Sequence, residues 1–205
     1  MASAVSEPAQ PATPEVRASR PAQLLRAAVL FIAGLAIAFT ATMHDDVTVD
    51  LFLLGASLTL IAAATFVEYY TMRGTLESWW IAARAMVALG AAGALLAVTD
   101  SVSMALVVAV WAALTAFITL MRLVRGAQPR AVALPSLLLS LALMVAVLLL
   151  RNDAIAVIGL FGAYAIVRGV FLGISAFDTR AAQRTSSSPL GTETGAPATS
   201  GTQDD

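Results

Sequence analysis

The sequence predicts an all-α integral membrane protein with six transmembrane helices, arranged as three tandem helical hairpin repeats that share one orientation. Three observations predict it. The composition is 59% hydrophobic and only 12% charged, with a mean hydropathy of +0.84, far from the mixture of a water-soluble domain. Six apolar runs each reach the length, about 20 residues at 1.5 Å per residue, that crosses a hydrocarbon core of about 30 Å. Polar turns punctuate these runs at a nearly constant interval.

The first 23 residues carry Pro8, Pro11, Pro14 and Pro21 among Ala, Ser and Thr, too few large apolar groups to offset the entropy of ordering. This predicts a disordered tail over 1–23. A secretory signal has a shorter polar lead and an apolar run of about 7 to 15 residues, so the first helix is expected to be retained. The spans are read at 24–43, with Arg26 at its edge, then 49–70, 79–98, 102–121, 133–150 and 154–177. They are apolar on every face, whereas the strands of a membrane barrel alternate in polarity over about ten residues. All eight prolines are read as lying outside helix interiors, with Pro135 in the first turn of the fifth span, where its missing N–H costs nothing. Residues 181–205 are rich in Ser, Thr, Gly and Ala and end in Asp204-Asp205, predicting a second disordered, solubilising tail.

Arginine sets the orientation. Arg17, Arg20, Arg73, Arg122, Arg125, Arg130, Arg180 and Arg184 fall on one side of the spans. The other side has Arg151 against His44, Asp45, Asp46, Asp100 and Asp153. The positive-inside bias then makes both termini cytoplasmic, with Tyr69, Tyr70, Trp79 and Trp80 at the inner interface. No lysine occurs among the 12 basic residues. That bias points to a GC-rich bacterial genome, although arginine's phosphate-binding fork is a competing physical reason for it. A net charge of -1 excludes nucleic acid, which needs a concentrated basic surface. Without cysteine there is neither a disulfide nor a thiolate metal site.

Asp46, Asp100 and Asp153 mark a possible repeat, spaced 54 and 53 residues apart. Other positions fall into the same register: Ser57, Trp111 and Tyr164, then Gly55, Ala109 and Gly162, then Arg73, Arg125 and Arg180. The chain therefore reads as hairpins over about 24–73, 79–125 and 133–180. Each crosses twice, so the units are parallel and not inverted. Turns at similar intervals in any six-span protein are the alternative explanation.

The third hairpin carries Gly159-Leu160-Phe161-Gly162-Ala163-Tyr164-Ala165-Ile166-Val167-Arg168-Gly169. This segment resembles the HdeD-like acid-resistance membrane proteins, a family of short two-helix repeats in which a Gly-Ala-Tyr-Ala-Leu-Val-x-Gly segment opens the second helix of the last hairpin. The likeness is closest over 133–180. It implies a bacterial cytoplasmic-membrane protein linked to acid or envelope stress, with no enzymatic mechanism to carry over.

Several residues are candidates for more than span formation. Ala165, Gly169 and Gly173 recur every fourth residue, a face without bulk that lets another helix approach, in this chain or in a second copy. Gly169→Leu and Gly173→Leu are both expected to lower folded yield. Glu68, Arg84 and Arg168 are ionisable groups within spans, where a charge costs about 2.5–3.5 kcal/mol even on insertion scales. Glu68 and Arg84 flank one turn at similar depth, so they are read either as neutralising each other or as snorkelling to the interface. Arg168 is the deepest charge. It is read either as an anion or headgroup site or coupling residue, or as a structural group paired with Glu68 or reaching the inner interface.

His44, the one histidine, would gain charge on acidification and is a pH-sensor candidate, a solvated turn being the plainer reading. His44, Asp45 and Asp46 are adjacent and hard to direct at one metal, so no metal site is expected. Neither a catalytic constellation nor a cofactor motif is present: HExxH and Walker loops are missing, and Asp45 and Asp46 lie in a wet loop that raises no pKa. The expected function is non-enzymatic, in stress tolerance by the resemblance, with the lipid bilayer as partner and a homo-oligomer or another membrane protein as further partner. The rivals are a small-solute or ion transporter or channel, and an accessory subunit of a larger membrane complex.

Overall fold

A computed structural model describes residues 14–40, 47–75, 78–126 and 130–187, with side chains described over 21–177 of these except at 131. Six helices follow in order: α1 (Pro14–Phe39), α2 (Val47–Thr71), α3 (Ser78–Leu95), α4 (Ser101–Val124), α5 (Arg130–Leu149) and α6 (Ala154–Ser187). Each contains a stretch long and apolar enough to cross a membrane. Helix is the conformation that satisfies every backbone group within one segment, as hydrocarbon requires, and the Ala and Leu that dominate these runs favour it.

Two boundaries differ from the sequence reading. α1 begins at Pro14 and α6 ends at Ser187, so 14–23 and 181–187 are helical; the rest of both expected tails lies outside the described residues. Ala181, Ala182, Gln183 and Arg184 are helix formers, which lets α6 continue once its apolar span is complete. Pro21 and Pro135 both lie inside helices, correcting the view that every proline avoids a helix interior. Each sits within about two turns of its helix start, so the lost i−4 bond and the crowding of the i−4 carbonyl fall near the helix end.

Six passes put the start of α1, the α2–α3 and α4–α5 links and the end of α6 at one end of the bundle. Arg73, Arg125 and Arg130 lie there, so we call it the basic end. At this end Gly74 (φ 101°) and Gly126 (φ 69°) adopt the left-handed backbone that lets α2 and α4 stop and turn. At the opposite end Asp100 accepts from the Ser103 N–H at 2.9 Å and Asp153 from the Ala156 N–H at 3.0 Å. Both cap the helix that follows. Capping thus gives two of the three regularly spaced aspartates a reason to sit where they do, and Asp46 lies outside the described residues.

The hairpins are not the most closely packed pairs. α1 and α6 make the most extensive contact, followed by α2 with α3 and α4 with α5, while the pairs within each hairpin are looser. Glycine explains the first. A Cβ on Gly169 would lie 2.8 Å from the Phe31 nitrogen and 2.9 Å from the Ala27 carbonyl oxygen, and one on Gly34 would lie 2.7 Å from the Gly162 oxygen. The two backbones therefore touch where side chains would hold them apart.

Apart from Asp50 and Ser57, buried polar side chains divide from apolar ones by depth. Leu54, Leu58, Met104, Val108, Val147, Val157, Ile158 and Phe161 fill the half nearer the opposite end. Arg26, Thr65, Glu68, Thr115, Thr119, Ser136, Ser140 and Arg168 are buried in the half nearer the basic end. The outward surface is apolar, with Phe52 76% and Leu138 64% exposed. Such an exterior is compatible with a helical bundle that faces lipid.

Candidate functional site

The buried polar half encloses a cavity of about 90 Å³ to which α1 brings Gln23 and Arg26, α2 Glu68, α3 Arg84, α4 Thr119 and Arg122, α5 Ser136, and α6 Arg168 and Ser175. All six helices contribute. A second, much smaller void of about 10 Å³ shares Arg26, Arg84 and Arg168 with it and is also lined by Leu30, Ile61 and Trp111, room for about one water. Trp111 and Tyr164 of its lining pack with Phe161 in tilted and edge-to-face contacts, ring centroids 5.5 to 6.4 Å apart, at the border with the apolar core.

Four guanidinium groups and one carboxylate line the cavity. Arg26 Nη1 donates to Glu68 Oε2 at 3.0 Å, a pair whose side chains are only 8% and 10% exposed. Glu68 thus pairs with Arg26, and neither Arg84 nor Arg168 forms a salt bridge with it. The buried Arg26 Nε has no hydrogen-bond partner, so even the paired arginine keeps a donor to offer. No carboxylate pairs with Arg84 or Arg168 among the described residues.

Arg168 is 3% exposed and held by hydroxyls. Its Nη1 donates to Ser140 Oγ at 3.0 Å and to Tyr164 Oη, and its Cζ lies 5.3 Å from the Tyr164 ring centroid. Ser140 Oγ donates to the Ser136 carbonyl at 3.0 Å. Its single proton being used there, Tyr164 Oη is left as donor in its 3.3 Å contact with Ser140. The chain of donors from Arg168 through Tyr164 and Ser140 to the α5 backbone fixes the guanidinium without neutralising it. Thr65 and Thr119 likewise donate to carbonyls of their own helices.

Of the residues singled out in the sequence, Glu68, Arg84 and Arg168 meet in this one cavity, and His44, Asp45 and Asp46 lie outside the described residues. Ala165 and Gly169 are buried, but nothing lies within 4 Å of a Cβ on Gly173. The close-packed face is therefore Gly162, Ala165 and Gly169, and Gly173 leaves it because the close approach of the α1 and α6 backbones ends before it. Arg26 and Arg122 were read as edge and loop residues, and Ser140 was not singled out. The available signal was depth: Arg26, Glu68, Arg84 and Arg122 all fall within about two turns of the basic end of their spans. Asp50 is also fully buried, in the first turn of α2, where a carboxylate faces free helix N–H groups.

Among the described residues, no three His, Cys, Asp or Glu side chains come together as metal ligands. The chemistry available is hydrogen bonding and charge. Guanidinium forks match the oxygens of phosphate and carboxylate. No family model, curated protein or solved structure matches the chain. Its functional reading therefore comes from this geometry and from the resemblance in the third hairpin.

Proposed function

We propose that the protein is a non-enzymatic, multi-pass protein of the bacterial cytoplasmic membrane, with both termini cytoplasmic, that binds an oxyanion in its arginine cavity. The observation that carries the reading is that Arg84 and Arg168 line the cavity beside the Arg26–Glu68 pair with no carboxylate paired to either among the described residues. Burying uncompensated cations is costly, and an anion bridging Arg84 and Arg168 offsets that cost. Orientation rests on the arginine bias, and a role in acid or envelope stress rests on the HdeD-like segment; both are part of the proposal.

The purified protein in detergent tests it, by thermal unfolding in inorganic phosphate against chloride at matched ionic strength. Phosphate should raise the midpoint as its concentration increases. Arg84→Gln and Arg168→Gln should each weaken the apparent affinity by about tenfold or more, the weight of one charge-assisted hydrogen bond. Equal midpoints in phosphate and chloride would end this reading.

The adjoining void of about 10 Å³ favours a second reading, a carrier. Trp111 and Tyr164 in the void's lining support a binding site over a conducting pore. Phosphate flux in reconstituted liposomes that Arg168→Gln abolishes would favour the carrier.

A further inference from the structure

The loose seam between α5 and α6 holds an apolar groove of about 390 Å³ on the outer face of the bundle, lined by Pro135, Leu138, Leu139, Ala142, Val167 and Phe171, with Ser136 and Arg168 at its floor. Ser136 and Arg168 also line the arginine cavity. An apolar groove that shares two lining residues with an arginine-lined cavity is complementary to an amphiphile with an apolar tail and an anionic head. A second groove, between α3 and α4, has a similar volume of about 360 Å³ but is lined by Val87, Gly90, Ala94, Leu106, Trp111 and Leu114 among others, with no charged residue. Shape alone is thus common to both seams, and charge distinguishes one.

We infer that the cavity's oxyanion is the phosphate of an anionic phospholipid, whose acyl chain lies in the α5–α6 groove and whose headgroup meets Arg168. This rests on the anion reading above. Bilayer lipid gains little from moving its tail between two apolar surroundings, because no hydrophobic driving force acts inside a membrane. Selectivity therefore comes from the head, and the groove supplies geometry. A tail held along Leu138, Ala142 and Phe171 brings a phosphate to the guanidinium laterally, so the ligand need not enter through the basic end. Arg168 suits the task because Tyr164 and Ser140 fix it while leaving its remaining N–H donors for a phosphodiester.

The experiment places the full chain in phosphatidylcholine nanodiscs containing a small fraction of fluorescent phosphatidylglycerol, with inorganic phosphate binding measured in parallel on the detergent-purified protein. Phosphatidylglycerol should be enriched around the protein at least about tenfold over fluorescent phosphatidylcholine, equivalent to one charge-assisted hydrogen bond. Arg168→Gln should remove both the enrichment and the phosphate effect. Ala142→Trp, which fills the groove, should remove the enrichment and leave phosphate binding intact, and Ala94→Trp in the α3–α4 groove should change neither.

A measurement on the unaltered protein covers the case in which Ala142→Trp fails to fold. Phosphatidylglycerol with a photoreactive tail should crosslink to α5 and α6 peptides containing Leu138, Ala142 or Phe171. Crosslinks spread evenly over the helices, or enrichment no greater than that of phosphatidylcholine, would overturn the lipid assignment. If phosphate still binds in that case, the ligand is a free anion and only this inference falls. If phosphate also has no effect, the cavity reading falls with it.

Discussion

At the scale of single residues, the Arg26–Glu68 pair sets a clear test of what the cavity costs. The pair is almost dry, and removing one partner of such a pair costs about 3–5 kcal/mol, because the remaining charge is stranded. Replacing both partners with apolar side chains of similar volume is often neutral. Glu68→Leu should therefore unfold at markedly lower temperature than Arg26→Met/Glu68→Leu, both measured without added phosphate. If the single and double variants melt together, the two groups do not stabilise each other as described. Asp100 makes a different prediction at the opposite end. The Ser103 N–H holds its carboxylate below the ordinary value. With the folded pKa the lower of the two, the stabilisation is complete above the unfolded value of about 3.9 and is lost as pH falls through the folded value. Asp100→Asn should flatten the acid limb of the melting curve below about pH 4, and an unchanged slope would show that the cap does not titrate.

At the scale of elements, the α1–α6 seam depends on two backbones touching. Gly34 and Gly169 leave no room for a Cβ without moving main-chain atoms, whereas a Cβ on Gly173 meets nothing within 4 Å. Gly34→Leu and Gly169→Leu should sharply lower the yield of folded protein by size-exclusion chromatography. Even Gly169→Ala should cost about 1–3 kcal/mol, the usual penalty of overpacking. Gly173→Leu should behave as the unaltered chain does. A loss of yield from Gly173→Leu alone would locate the critical contact elsewhere, for instance in a seam between copies. Four-residue spacing singles out α6 in the sequence. Which three small residues face a neighbour depended on where α1 crosses it, and one helix's sequence does not contain that.

At the scale of the whole molecule, the bundle is a ring of alternating close and loose seams, with an apolar core toward one end and a polar cavity toward the other. The absence of cysteine makes the proposed orientation directly testable. Single cysteines at Arg73 and Arg125, both exposed at the basic end, should react with a membrane-impermeant thiol reagent only after the inner face is opened. A cysteine at Asp153, exposed at the opposite end, should react in intact cells or spheroplasts. The reverse pattern would invert the topology and put the arginine cavity on the outer face.

The sequence by itself determined that there are six helices, that they are apolar on their outer faces and how far along each one its charges lie, because span length, hydropathy and depth are properties of a segment read alone. It also marked Glu68, Arg84 and Arg168 as unusual. Tertiary structure decided their partners. Glu68 pairs with Arg26 across α1 and α2 rather than with Arg84 across the nearer turn, and Arg168 is held by Ser140 and Tyr164 without a carboxylate. It also decided that the tightest seams run between hairpins and not within them. The physical reason is the same in each case. A helix's own sequence sets which residues share a face and a depth, but contact between faces depends on how closely neighbouring backbones can approach, which Gly34, Gly162 and Gly169 settle jointly from two helices far apart in the chain.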